Sequence, residues 1–113
     1  MKELTLRQVC REVGVTRRAV QGYEKRGLVK PSGKTKRGYL LYNDEAQERI
    51  RYLRRMQEYG YSLKEIVEFE KKETHEQLVS LTQKRNVLAD YLCKMRSVLA
   101  ELDEKIDHIR KRS

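Results

Sequence analysis

One hundred and thirteen residues suffice for one compact domain, or for a small domain carrying an extended element. Hydrophobic and charged residues each make up 38 % of the chain, with no Trp, one Phe and one Pro, a balance that points away from one large core and toward long solvated helices. The net charge of +9 is segregated: residues 7–37 hold ten Lys/Arg against Glu12 and Glu24, an excess of +8, whereas residues 73–113 hold eight basic and seven acidic residues, an excess of +1.

In chain order, Leu4, Leu6, Val9, Cys10 and Val13 have the spacing of a first helix with one apolar face. Thr5 with Gln8 has the spacing of a capping box. The next stretch, Gly14-Val15-Thr16 through Gly27-Leu28, reads as the turn and second helix of a helix-turn-helix. Gly14 suits the positive φ of a tight turn, Val15 plugs the gap between short helices, Thr16 is a ready N-cap, and Gly27 ends the helix. Ala19, Val20 and Tyr23 fall on one face of it, and Arg17, Arg18, Gln21 and Lys25 project elsewhere. The major groove of DNA accepts such a helix; so does an ordinary amphipathic surface position.

Leu28 to Gly38 then contains Pro31, Gly33 and four basic residues, a cationic loop. Tyr39 to Tyr42 is expected to pair with Leu28-Val29 as a small hairpin, a wing. Asn43 caps a third helix, Asp44 to about Tyr59, with Ala46, Ile50 and Leu53 on its apolar face and Gly60 as its stop. Ser62 and Glu65 open a short fourth helix through Leu63, Ile66, Val67 and Phe69, and this first domain, residues 1–72, ends there.

In residues 73–113 the pattern narrows. Leu78, Leu81, Arg85, Leu88, Leu92, Met95, Leu99, Leu102, Ile106 and Ile109 recur at alternating steps of three and four, without Gly or Pro. Sustained 3.5-residue periodicity argues for a coiled-coil helix, a rod of roughly 50 Å whose seam requires a partner, most simply a second copy of the chain. Arg85 is the discordant seam residue; it either snorkels or fixes register against an acid of the partner.

No apolar run reaches the length of a membrane span and no signal-type segment follows Met1, so a cytoplasmic location with reduced cysteines is expected. An anionic membrane would share the attraction of the basic segment, which however lacks the Phe/Leu-rich face of an interfacial helix. No phosphate-binding Gly loop, nucleophile elbow or paired-carboxylate setting is present, so no enzymatic activity is expected. His75 and His108 are isolated and no Cys/His cluster has ligand spacing, so neither metal nor cofactor is expected. Cys93, at an outward position before Lys94, is a weak candidate for redox sensing.

Four motifs in order carry a resemblance: Gly14-Val15-Thr16; Tyr23-Glu24-Lys25-Arg26-Gly27-Leu28; Gly38-Tyr39-Leu40-Leu41-Tyr42; and Tyr59-Gly60-Tyr61-Ser62-Leu63-Lys64-Glu65-Ile66. Over residues 4–70 they resemble the signature of the MerR family of bacterial transcription regulators, and the long helix resembles the family's dimerisation helix. The resemblance implies an all-α fold with a small β wing: a winged helix-turn-helix followed by a helix that forms an antiparallel coiled coil. It further implies a homodimer on an inverted-repeat operator in double-stranded DNA, distorting the promoter for RNA polymerase, in the bacterial cytoplasm and on the nucleoid. Two departures stand out. Gln21-Gly22 replaces an Arg-Tyr, and Leu40 replaces the wing's Arg. Gly22 either lets the backbone approach DNA closely or is simply tolerated.

The candidate DNA-binding residues are Thr16, Arg17, Arg18, Gln21, Tyr23, Lys25, Lys34, Lys36, Arg37 and Tyr39. Arg17, Arg18 and Gln21 suit base edges or phosphates equally. Lys34, Lys36 and Arg37 suit phosphates or the minor groove. Tyr23 and Tyr39 match family positions of backbone contact, or belong to the core. Glu24 is expected as a local ion-pair partner. No small-molecule effector is evident; with little chain after the rod, this is either a short family member or a truncated one. The competing functional readings are a loosely binding architectural or tethering protein and, more remotely, a partner-binding adaptor.

Overall fold

A computed structural model describes residues 2–113. The chain divides into two compact units, a head (Met1–Lys72) and a rod (Glu73–Ser113).

The head opens with strand β1 (Leu4–Thr5) and helix α1 (Leu6–Val13). Leu4 thus leaves the helix that its spacing suggested. It is extended, buried, and paired with Tyr42 of β3 (Leu40–Tyr42). Thr5 starts α1 through a reciprocal capping box: its hydroxyl accepts from the Gln8 amide at 3.4 Å, and Gln8 Oε1 accepts from the Thr5 amide at 2.9 Å. Gly14, at φ 79°, ends the helix and donates its N–H to the Cys10 carbonyl at 3.0 Å. Helix α2 (Arg17–Lys25) follows after a tight turn.

Strand β2 (Gly33–Lys34) and β3 form the wing hairpin, and the antiparallel sheet has the order β1-β3-β2. Its register pairs Gly33 with Leu41, Lys34 with Leu40, and Thr5 with Leu41. This corrects the expected pairing of Tyr39–Tyr42 with Leu28-Val29. Both of those residues are buried in the core, and Pro31 lacks a ladder donor. Ser32 sets the register instead: its backbone N–H and its hydroxyl donate to the Leu41 carbonyl at 2.8 and 3.1 Å, and its oxygen accepts from the Asn43 amide at 2.7 Å.

Helix α3 (Asp44–Glu58) is capped by Asn43, whose side chain accepts from the Ala46 amide at 2.9 Å, with Asp44 and Glu45 favourably placed in the first turn. Helix α4 (Leu63–Lys71) begins with the Ser62/Glu65 box. Val9, Val20, Tyr23, Tyr42, Ile50, Leu53, Met56 and Ile66 form one nearly dry cluster between these elements. Gln47 is buried there, with its amide donating to the Lys2 and Tyr42 carbonyls at 2.7 and 2.8 Å. Arg49 of α3 donates to the Leu28 carbonyl at 2.7 Å and pairs with Glu70 of α4 at 2.5 Å, and the bond to Glu70 pushes the guanidinium pKa up.

The rod is one helix, α5 (Thr74–Arg112), about 58 Å long at 1.5 Å per residue, and none of its residues is buried. All nine apolar seam residues are exposed, between 39 % at Leu81 and Met95 and 62 % at Ile109. Tyr91 and Val98, one position before Leu92 and Leu99, are exposed too and widen the stripe in the middle of the helix, a breadth that the 3.5-residue repeat alone did not reveal.

Candidate nucleic-acid interface

Helix α2 sorts its side chains by direction. Thr16 caps it, accepting from the Ala19 amide at 3.0 Å. At about 100° per residue, Arg17, Arg18, Gln21 and Lys25 project within an arc of about 100°. All four are exposed. The opposite side carries Val20 and Tyr23 into the core and lays Ala19 against it. Gly22 lies at the edge of the exposed arc, where an added Cβ would meet Leu63 Cδ1 of α4 at 3.4 Å. Its nearest neighbour is therefore the head's own fourth helix. Gly27, at φ 73°, and the Leu28 N–H bond to the Tyr23 carbonyl at 2.9 Å finish the helix.

Tyr23, a candidate for DNA contact, is placed in the core. It is 1 % exposed, and its hydroxyl donates to Gln57 Oε1 of α3 at 2.7 Å. Burial pushes its pKa up, partly opposed by Arg54. Arg54 also donates to the Gly14 carbonyl at 3.3 Å, so α3 braces both the turn and α2. Glu24 does not form the expected ion pair. It accepts from the Tyr42 hydroxyl, and burial first and this bond second push that hydroxyl well above its ordinary range.

Lys34, Lys36, Arg37 and Tyr39 are exposed on the wing. Its tip is closed by Thr35, whose N–H donates to the Tyr39 carbonyl at 2.8 Å and whose hydroxyl accepts from the Tyr39 amide at 3.1 Å. Leu40 is half-buried against the core. Arg7 on α1 was not among the sequence candidates. It lines the same open cleft as Arg17, Gln21 and Tyr39, and basicity was its only signal in the sequence.

The electrostatics of the head divide along the same line. On α3 the arginines are matched: Arg49 with Glu70, Arg51 with Glu48 at 3.3 Å, and Arg54 and Arg55 with Glu58 at 2.8 and 3.1 Å. Among the described residues, Arg17, Arg18, Lys25, Lys34, Lys36 and Arg37 form no ion pair. Like charges gathered without counter-ions are costly unless a polyanion completes them.

Cys10 is half-buried beside the head core and Cys93 is exposed on α5. Among the described residues no three His, Cys, Asp or Glu side chains gather as a metal cage, and no helix is long and apolar enough to cross a membrane.

Two short helices joined by a tight turn, flanked by a cationic hairpin, define a winged helix-turn-helix protein. Residues 4–73 match the family described as MerR HTH family regulatory protein, and the chain belongs to that family. The mercuric resistance operon regulatory protein of Bacillus cereus is 32 % identical over 59 residues, covering 52 % of this chain and 45 % of that protein. The chain matches about half the length of some curated relatives and about a quarter of others. A MerR family transcriptional regulator of Bacillus cereus superposes with a TM-score of 0.69 at 27 % identity, over 91 % of this chain and 79 % of that one. HiNmlR, a MerR family regulator lacking the sensor domain and bound to promoter DNA, shares the fold with a TM-score of 0.73 at 18 % identity, over 87 % of this chain and 79 % of that one.

Proposed function

We propose that this protein is a sequence-specific, DNA-binding transcription regulator of the MerR type, without enzymatic activity and without a metal or cofactor. It acts as a homodimer joined through an antiparallel coiled coil of α5, each α2 entering the major groove of one half of an inverted-repeat operator. It distorts the intervening promoter so that RNA polymerase engages it, in the bacterial cytoplasm and on the nucleoid. The observation that carries this reading is the exposed face of Arg17, Arg18, Gln21 and Lys25, backed by a core and left without counter-ions beside an equally unpaired wing. Family membership and the promoter-DNA complex of a relative of the same fold support it.

The test is a titration of the chain against random and inverted-repeat duplexes at two salt concentrations. A regulator prefers its operator by about 10³-fold or more. An architectural tether binds both nearly alike and loses both as salt rises. Arg18→Ala is expected to reduce operator preference by about tenfold, as loss of a base contact does. Lys36→Ala is expected to weaken every duplex about equally. Uniform affinity in the wild type, or equal losses on both duplexes for both variants, overturns the reading.

A further inference from the structure

We infer that Arg7 and Arg17, in a cleft between α1 and the wing that Tyr39 also lines, hold one phosphodiester of the DNA backbone and thereby set the register of α2. This inference rests on the DNA-binding reading above.

Arg7 is aimed there by its neighbours. The Thr5 capping box fixes the first turn of α1, and pairing of Leu4 with Tyr42 and of Thr5 with Leu41 holds that turn beside the wing strand. Leu6 packs against the core, so the next residue, about 100° further round, faces out. The cleft it lines has a volume of about 560 Å³ and is walled by Arg7, Arg17, Gln21, Tyr39 and Leu40 among others, from three separate elements. It holds two guanidinium groups and no carboxylate. Neither arginine has a side-chain hydrogen bond or ion pair among the described residues.

A second hollow in the head shows what a balanced cavity looks like. It is larger, about 900 Å³, but its Lys30 and Arg49 are offset by Glu45 and Glu48. Of these two hollows, the α1–wing cleft is the one whose cationic lining has no carboxylate to offset it, and planar guanidinium forks suit a pair of phosphate oxygens. Half-buried Leu40 contributes no charge to the cleft, so its two cations come from α1 and α2. Gln21 lines the same cleft; a phosphate seated between Arg7 and Arg17 fixes how that amide meets a base edge.

The test compares Arg7→Gln, Arg7→Lys and Arg11→Gln in the full chain. Arg11 is an exposed arginine of the same helix that does not line the cleft, so its variant matches the charge change. The probes are a random duplex of about 30 base pairs and a duplex of equal length selected by the wild-type protein. Arg7→Gln is expected to weaken binding of both about tenfold and to make the slope of log affinity against log salt shallower by about 0.9. Arg7→Lys restores most of the slope; Arg11→Gln stays within about twofold of wild type. The inference is overturned by wild-type binding in Arg7→Gln, by equal losses in Arg7→Gln and Arg11→Gln, or by a loss confined to the selected duplex. Those results leave the DNA-binding reading standing, whereas a wild-type chain that binds neither duplex removes both.

Discussion

The head and the rod use the same kinds of residue to opposite ends. In the head, short helices and a three-stranded sheet close around side chains such as Val9, Val20, Ile50 and Leu53, each with no exposed surface. In the rod, a 39-residue helix buries nothing, and leucines as regular as those of any core stand half-exposed along one stripe. A single helix has no second layer onto which its apolar stripe can fold. The head therefore covers its own apolar residues, whereas the rod leaves its stripe open to the second copy proposed above. In the proposed function, the rod serves assembly and the head serves recognition.

The sharpest way to break this contrast is Leu92→Asp in the middle of the stripe. A carboxylate in each copy of the proposed seam is expected to weaken dimerisation about a thousandfold, about 4 kcal/mol, read by sedimentation equilibrium. The head should keep its unfolding transition. A dimer as tight as wild type removes the seam from the account.

Tyr42→Phe probes the head, since it deletes the hydroxyl that donates to Glu24. An expected loss of about 1–2 kcal/mol in urea unfolding follows from a hydrogen bond to a charged group that stays partly hydrated. The pH dependence has a definite sign. The fold raises the Tyr42 pKa, so it favours the protonated form. That contribution is whole below the unfolded value of about 10 and is lost as pH rises beyond it. Wild type should therefore lose stability more steeply than Tyr42→Phe above about pH 10, and parallel curves count against a hydroxyl held protonated by burial and by Glu24.

Gly22→Ala is the smallest change. Relief of the glycine penalty inside a helix is worth about 1 kcal/mol, and the new Cβ meets Leu63 at 3.4 Å, an ordinary contact. Thermal unfolding should show a gain of about 0.5–1 kcal/mol. A loss means that α2 and α4 are packed more tightly than this distance allows.

Local signals were legible wherever a side chain answers to its own backbone. Thr5 with Gln8, Thr16, Asn43, and Ser62 with Glu65 each cap the helix that their spacing announced. The wing's pairing was not legible, because a two-residue strand of Gly33 and Lys34 has almost no propensity signal and its register depends on Ser32 reaching Leu41 and Asn43. Leu4 went astray for a related reason: its apolar spacing suits a helix, but the edge of β3 needed a partner. In the candidate site, Arg17, Arg18, Gln21 and Lys25 stand where helical periodicity sent them. Tyr23 could not be placed by periodicity, since the same helical face suits a buried ring or a hydroxyl reaching outward, and Gln57, 34 residues away, decided it.

The chain's own order of residues thus determined the helices, their caps, the apolar stripe of the rod and the cationic face of α2, because these depend on spacings of three and four and on capping groups close by. Tertiary structure alone decided which strand the wing would pair with, that Tyr23 would turn inward, and that Arg7 would join Arg17 and Tyr39 across a cleft. Those outcomes depend on contacts between residues far apart in sequence, where packing and shared hydrogen bonds outweigh any local preference.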